Sequence, residues 1–135
     1  MRLDRLFGTL LITAFTVSGG SAAAQAAAIP MPERWDTTYV LMLEMNPSYV
    51  PASDSAAGSI LAAHIQYQLG LVGDGRARQG GPIADATPSE TIGMTLLATG
   101  SRKEAEAIAS ADPAVIAGRF KARIRAWTTP RLTPR

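Results

Sequence analysis

The chain has no cysteine and a single histidine, His64. The first absence excludes disulfides, a lipidated N-terminal cysteine and any thiolate nucleophile. The second leaves no histidine cluster to hold a metal within one chain. Charge is sparse and nearly balanced, with 13 Lys and Arg against 11 Asp and Glu, so a nucleic-acid partner is not expected. A phosphate-binding loop is missing as well. The stretch GDGRARQGG (73–81) has glycines but no lysine, and it opens no helix. The apolar run LFGTLLITAFTV (6–17) is well short of the ~20 residues that span a bilayer.

That run instead sits between a basic start, Arg2 and Arg5, and the small-residue stretch SGGSAAAQAAA (18–28). Charge, apolar core and small residues in that order form the three-part pattern of a secretory signal. Cleavage fits after Ala24, Ala26 or Ala28; an uncleaved membrane anchor is the alternative. The expected organisation is a signal peptide at 1–28, an extended arm at 29–36, one domain at 37–128 and a tail at 129–135. A cysteine-free exported chain reads as a bacterial periplasmic or secreted protein with no membrane association after cleavage. Loss of Arg2, Asp4 and Arg5 lowers the net charge from +2 to +1. The remaining charge is uneven, since 119–135 carries six cations and no acid.

Periodicity orders the mature chain. TTYVLMLEM (37–45) is β-branched and apolar and reads as a buried strand. Over 56–72, Leu61, Ile65, Leu69 and Val72 recur every three or four residues and predict a helix with that stripe inward. A short strand is expected at Arg76–Gln79, a further strand at 91–99, and a helix starting at Ser101, where Glu104 stands at capping-box spacing. In 119–127, Phe120, Ala122, Ile124 and Ala126 alternate with Arg119, Lys121, Arg123 and Arg125, the pattern of a strand with one apolar and one cationic side. Strand, helix, strand, strand, helix, strand predicts a ferredoxin-like α+β fold: a four-stranded antiparallel sheet with both helices on one face. The other face, with Val, Met and Leu, then needs cover, and a second copy of the chain supplies it in a homodimer.

Few side chains can do chemistry. His64 follows Leu61 by one turn and falls at the edge of the buried face. Alone, such a histidine is compatible with simple packing; beside a carboxylate it can shuttle protons. Asp112 stands before Pro113, with Gly118 closing the segment. Asp as N-cap, Pro at the first helical position and Gly at the end describe a short helical turn. The cap uses only part of a carboxylate's acceptor capacity, so Asp112 can also face a partner elsewhere in the chain. Arg123, in mid-strand, is the candidate for steering an anionic group, such as a substrate carboxylate, toward the His64 pocket. The plainer alternative is an edge strand defended by charge.

The histidine, the Gly81-Pro82 turn, the element Asp112-Pro113-x-Val115-x-Ala117-Gly118 and the aromatic Trp127 near the end of the last strand together resemble the YciI-like (YCII-related) family over 37–127. The resemblance implies a dimeric α+β barrel. It also implies a His–Asp pair in a pocket beside the sheet, here His64 and Asp112, with no metal or organic cofactor. Pro82 and Arg123 are the candidate substrate contacts. Leu61 stands where many members carry an arginine. The functional expectation is a small-molecule isomerase or lyase working by acid–base chemistry on a possibly anionic substrate. The alternatives are a non-catalytic dimeric ligand-binding or interaction module in the periplasm and a purely structural dimer.

Overall fold

The computed structural model describes residues 31–131. The expected signal peptide and the last four residues of the tail lie outside the described residues. The elements run β1 (Trp35–Met45), α1 (Asp54–Gly73), β2 (Ala77–Pro82), β3 (Thr91–Leu97), α2 (Arg102–Ser110), α3 (Pro113–Ile116) and β4 (Phe120–Pro130). The sheet order is β2-β3-β1-β4 and every neighbouring pair is antiparallel. This is the ferredoxin-like α+β arrangement, with α3 added as a single turn before the last strand. No helix of the described residues is long and apolar enough to cross a membrane.

The pleat sorts the side chains. Leu41 pairs with Thr95 and Ile124, and Leu43 with Gly93 and Ala122, so these residues share one face. That face packs against Leu71 of α1, Ala105, Ile108 and Ala109 of α2 and Ala114 of α3 to form the core. The opposite face carries Val40, Met42 and Glu44 of β1, Met94 and Leu96 of β3, and Lys121, Arg123 and Arg125 of β4. Met94 and Trp127 stand exposed there.

Several details depart from the sequence reading. Strands β1 and β4 pair as far as Trp35 with Pro130, so the inner end of the arm and the start of the tail belong to the sheet. Arg131 fastens this end through its backbone N–H to Arg34 O (2.8 Å) and its Nε to Asp36 Oδ2 (2.8 Å). Pro130 is tolerated because β4 is an edge strand. Strand β2 takes in Gly81 and Pro82 rather than ending at Gln79, so the Gly-Pro pair is strand and not turn. It too is an edge strand, where a proline is permitted.

The capping box of α2 forms by half. Ser101 Oγ accepts from Glu104 N–H (3.3 Å), but Glu104 takes the Thr99 hydroxyl, and Ser101 N–H goes to Thr99 Oγ1 (3.0 Å). Arg119 leaves the cationic row. Gly118 has φ +74°, which turns the chain just before β4, and Arg119 reaches α1 through Nη1 to Ala57 O (2.9 Å).

The largest departure is in α1. The inward line is Ile60, His64, Tyr67 and Leu71, with Tyr67 OH donating to Ile108 O at 2.8 Å. Of the predicted apolar stripe, Leu61 is half-buried and packs on the core, while Ile65 is 47% exposed, Leu69 61% and Val72 41%. His64 is partly buried, at the border between the core and a cavity. A periodicity count gave polar residues no weight as core, and here hydrogen bonding lets them be core.

Candidate functional site

Asp112 begins α3 as its N-cap, accepting the Ala114 N–H at Oδ1 (2.9 Å). Pro113 at the first helical position needs no acceptor. The same carboxylate meets His64 from α1, with Nδ1 2.9 Å from Oδ1 and 2.8 Å from Oδ2. Gln68, one turn after His64, donates Nε2–H to Oδ2 at 2.9 Å. Gln68 Oε1 in turn accepts the Thr95 hydroxyl from β3 at 2.8 Å. The ionised carboxylate accepts only, so the NH₂ end of the amide faces Asp112 and its oxygen faces Thr95. The chain Thr95–Gln68–Asp112–His64 ties sheet, α1 and α3 together.

Asp112 has no exposed surface. Burial is the largest influence on its pKa and acts to raise it; the hydrogen bonds from His64, Gln68 and Ala114 N–H outweigh that and hold the carboxyl below its ordinary 3.8. An ionised acceptor at Nδ1 requires a hydrogen there, so neutral His64 is the Nδ1–H tautomer and its lone pair is on Nε2. The ring stands edge-on to Phe120, with centroids 5.1 Å apart. The His64 side chain is 13% exposed, and it lines a cavity.

That cavity has a volume of about 330 Å³ and lies between α1 and the β2–β3 side of the sheet. Leu61, Ile65, Leu69, Ile92 and Phe120 supply apolar wall, His64 and Gln68 supply polar groups, and Pro82 closes the β2 side. The sequence-derived residues thus divide. The structure brings His64, Asp112 and Pro82 to one place, Asp112 behind the histidine and out of contact with the cavity. Arg123 is elsewhere: it sits on the opposite face of the sheet, paired through Nε with Glu44 Oε1 at 3.0 Å, and does not line the cavity. Alternation decides this, because Ala122 and Ile124 take the helix side. Arg123 is thus not a contact of the pocket in its own chain. Gln68 and Thr95 were not foreseen. The signal for Gln68 was available, since a residue four after His64 shares its helix face. Among the described residues no group of three or more His, Asp or Glu is placed to hold a metal.

The family model for the YCII-related domain matches residues 37–128. The chain belongs to the YCII-related domain family. No curated protein matches it. Among solved structures, this YCII-related chain is similar to 5-chloro-2-hydroxyhydroquinone dehydrochlorinase (TftG) from Burkholderia phenoliruptrix AC1100, in complex with 2,5-dihydroxybenzoquinone. The TM-score is 0.48 and the identity 21%, over 66% of this chain and 91% of that one.

Two outcomes follow for this YCII-related site. Folded Asp112 titrates below 3.8 and unfolded Asp112 near it, so between those values the unfolded chain binds more protons. The stability this carboxylate contributes is complete above the unfolded value and is lost as pH falls through the folded one. Urea titrations from pH 5 downward should show stability falling more steeply in the wild type than in Asp112→Asn; equal slopes would show that the carboxylate is not held as described. The paired glycines of β2 give the second outcome. A Cβ on Gly80 would meet Thr95 Oγ1 at 2.7 Å, whereas one on Gly81 would meet nothing within 4 Å. Gly80→Ala should cost about 1–3 kcal/mol by overpacking, and Gly81→Ala should change stability by less than about 0.5 kcal/mol, both read by urea unfolding.

Proposed function

We propose that this protein is an exported small-molecule enzyme in which His64 is the general acid and base and Asp112 orients it. The observation that carries the reading is the buried, ionised carboxylate 2.8 Å from Nδ1 of a histidine that lines a cavity. A substrate C–H next to a carbonyl gives its proton to Nε2, and the bonding pair moves into an enolate. Asp112 stabilises the imidazolium that results. Return of the proton at another carbon completes an isomerisation. Departure of a group from the neighbouring carbon with its electron pair completes an elimination. Every proton in this scheme is carried by His64.

Two further elements belong to the proposal. The periplasmic location rests on the basic, apolar and small-residue order of residues 1–28. The homodimer rests on the sheet face that carries Met94, Leu96 and Trp127.

Hydrogen–deuterium exchange into a panel of small carbonyl compounds, followed by mass spectrometry, tests the chemistry. His64→Ala should slow exchange by about 10²–10⁴-fold, and Asp112→Asn should lower it in the same direction. Exchange that is equally fast in His64→Ala would end the acid–base reading. Light scattering should give twice the mass of one chain, and Leu96→Glu should reduce it to one. A wild-type monomer at micromolar concentration would contradict the dimer.

A further inference from the structure

We infer that the cavity takes an uncharged, largely apolar ligand that offers at least one hydrogen-bond donor and one acceptor. The inference deepens the proposed function, resting on it only for the ligand's position against His64.

Charge is the first argument. Among the residues that line the cavity none is Lys, Arg, Asp or Glu. The titratable groups that reach it are His64 and, behind His64, Asp112. With neutral His64 the pair carries one negative charge; with protonated His64 it carries none. In neither state is there surplus positive charge to receive an anion, and a buried charge without a counter-charge is strongly disfavoured. Two cations flank the wall residue Phe120, and of these Lys121 lies on the opposite face of the sheet. The other, Arg119, has its guanidinium 5.7 Å from the Phe120 ring centroid; its Nη1 is given to Ala57 O, its Nε is buried without a hydrogen-bond partner, and the residue does not line the cavity. A cationic ligand fares no better. Both Asp112 oxygens already accept from His64, with Ala114 N–H added on one and Gln68 on the other.

Polar supply is the second argument. Nδ1 of His64 is committed to Asp112, which leaves Nε2 as an acceptor. Gln68 Nε2 has two hydrogens, and one goes to Asp112. Its Oε1 accepts the Thr95 hydroxyl, which uses that hydroxyl's one hydrogen and leaves each oxygen some acceptor capacity. The side chains of the wall thus keep one amide hydrogen as donor and a few acceptors, His64 Nε2 foremost, in an otherwise aliphatic and aromatic surround. A few placed polar groups in an apolar pocket fix the orientation of a ligand whose remainder is apolar.

The test uses three ring-sized probes of nearly equal shape at pH 7: benzamide, which is neutral, benzoate, an anion, and benzamidine, a cation. His64 is the only histidine in the chain, so its ring C–H resonances report occupancy without assignment. Benzamide should shift them and bind at least tenfold more tightly than either charged probe. Gln68→Leu should reduce that affinity while leaving the preference over benzoate. Benzoate or benzamidine binding as tightly as benzamide overturns the inference, and so does benzoate binding that is lost in Arg119→Gln. Failure of benzamide and of a panel of similar uncharged amides and alcohols to bind at millimolar concentration also overturns it. These results are independent of turnover. A neutral preference without His64-dependent exchange keeps the inference and removes the acid–base reading; exchange with an anionic preference does the reverse.

Discussion

Asp112 is an ionised carboxylate with no exposed surface, and the helix layer is arranged around its need for donors. A buried charge is stable only where hydrogen bonds replace its hydration. Three donors from two pieces of chain provide them: the Ala114 N–H from its own helical turn, and Gln68 and His64 from α1. Each donor restricts something else. The Ala114 bond sets where α3 begins, and the α1 bonds set the rotation of that helix. Thr95 holds the other end of Gln68, which makes a β3 hydroxyl part of the same unit.

This constraint explains why α1 turns its most apolar stripe outward. A helix packed by hydrophobicity alone would bury Leu61, Ile65, Leu69 and Val72. Rotating it that way would carry His64 and Gln68 from Asp112 and leave the carboxylate buried without partners. The structure gives up some apolar burial and keeps the network. The displaced stripe is not idle, because Ile65, Leu69 and Val72 form one wall of the cavity. The polar demand of one residue thus produces an apolar pocket next to a histidine.

The same trade marks what could be read from the sequence. Strand identity was legible in β4 from alternation and in β1 from a β-branched, apolar run, both local properties, and so was the Asp-Pro start of α3, which needs only its own cap. His64 and Asp112 emerged as a pair through the family resemblance rather than through spacing, since they are 48 residues apart in sequence, with β2 and β3 between them. The rotation of α1 was not legible. It depends on a carboxylate elsewhere in the chain, and hydrophobic periodicity assigns histidine, tyrosine and glutamine to the outside. Thr95 was invisible for the same reason: a threonine in a β-branched strand has no local mark that its hydroxyl is used. Strand β2 was read too short because glycine and proline signal a turn, and only the sheet order shows that they lie on an edge, where both are tolerated.

Arg123 shows how far alternation carries and where it stops. The reading that the β4 cations share one side was correct for Lys121, Arg123 and Arg125. The apolar side packs on the helices and the cationic side faces away from them, as the alternation predicts, so Arg123 lies across the sheet from His64. Arg119 departs from the row because Gly118 turns the chain first. The sheet therefore separates two electrostatic environments. On the helix side, a single carboxylate is matched by hydrogen bonds and the cavity wall carries no formal charge. On the other side, three cations lie along an edge strand with Glu44 paired to one of them. Like charges in a row on an edge oppose strand addition from another chain. On the buried side the same charges would have needed partners that the cavity does not have, so their placement preserves both the edge and the neutrality of the pocket.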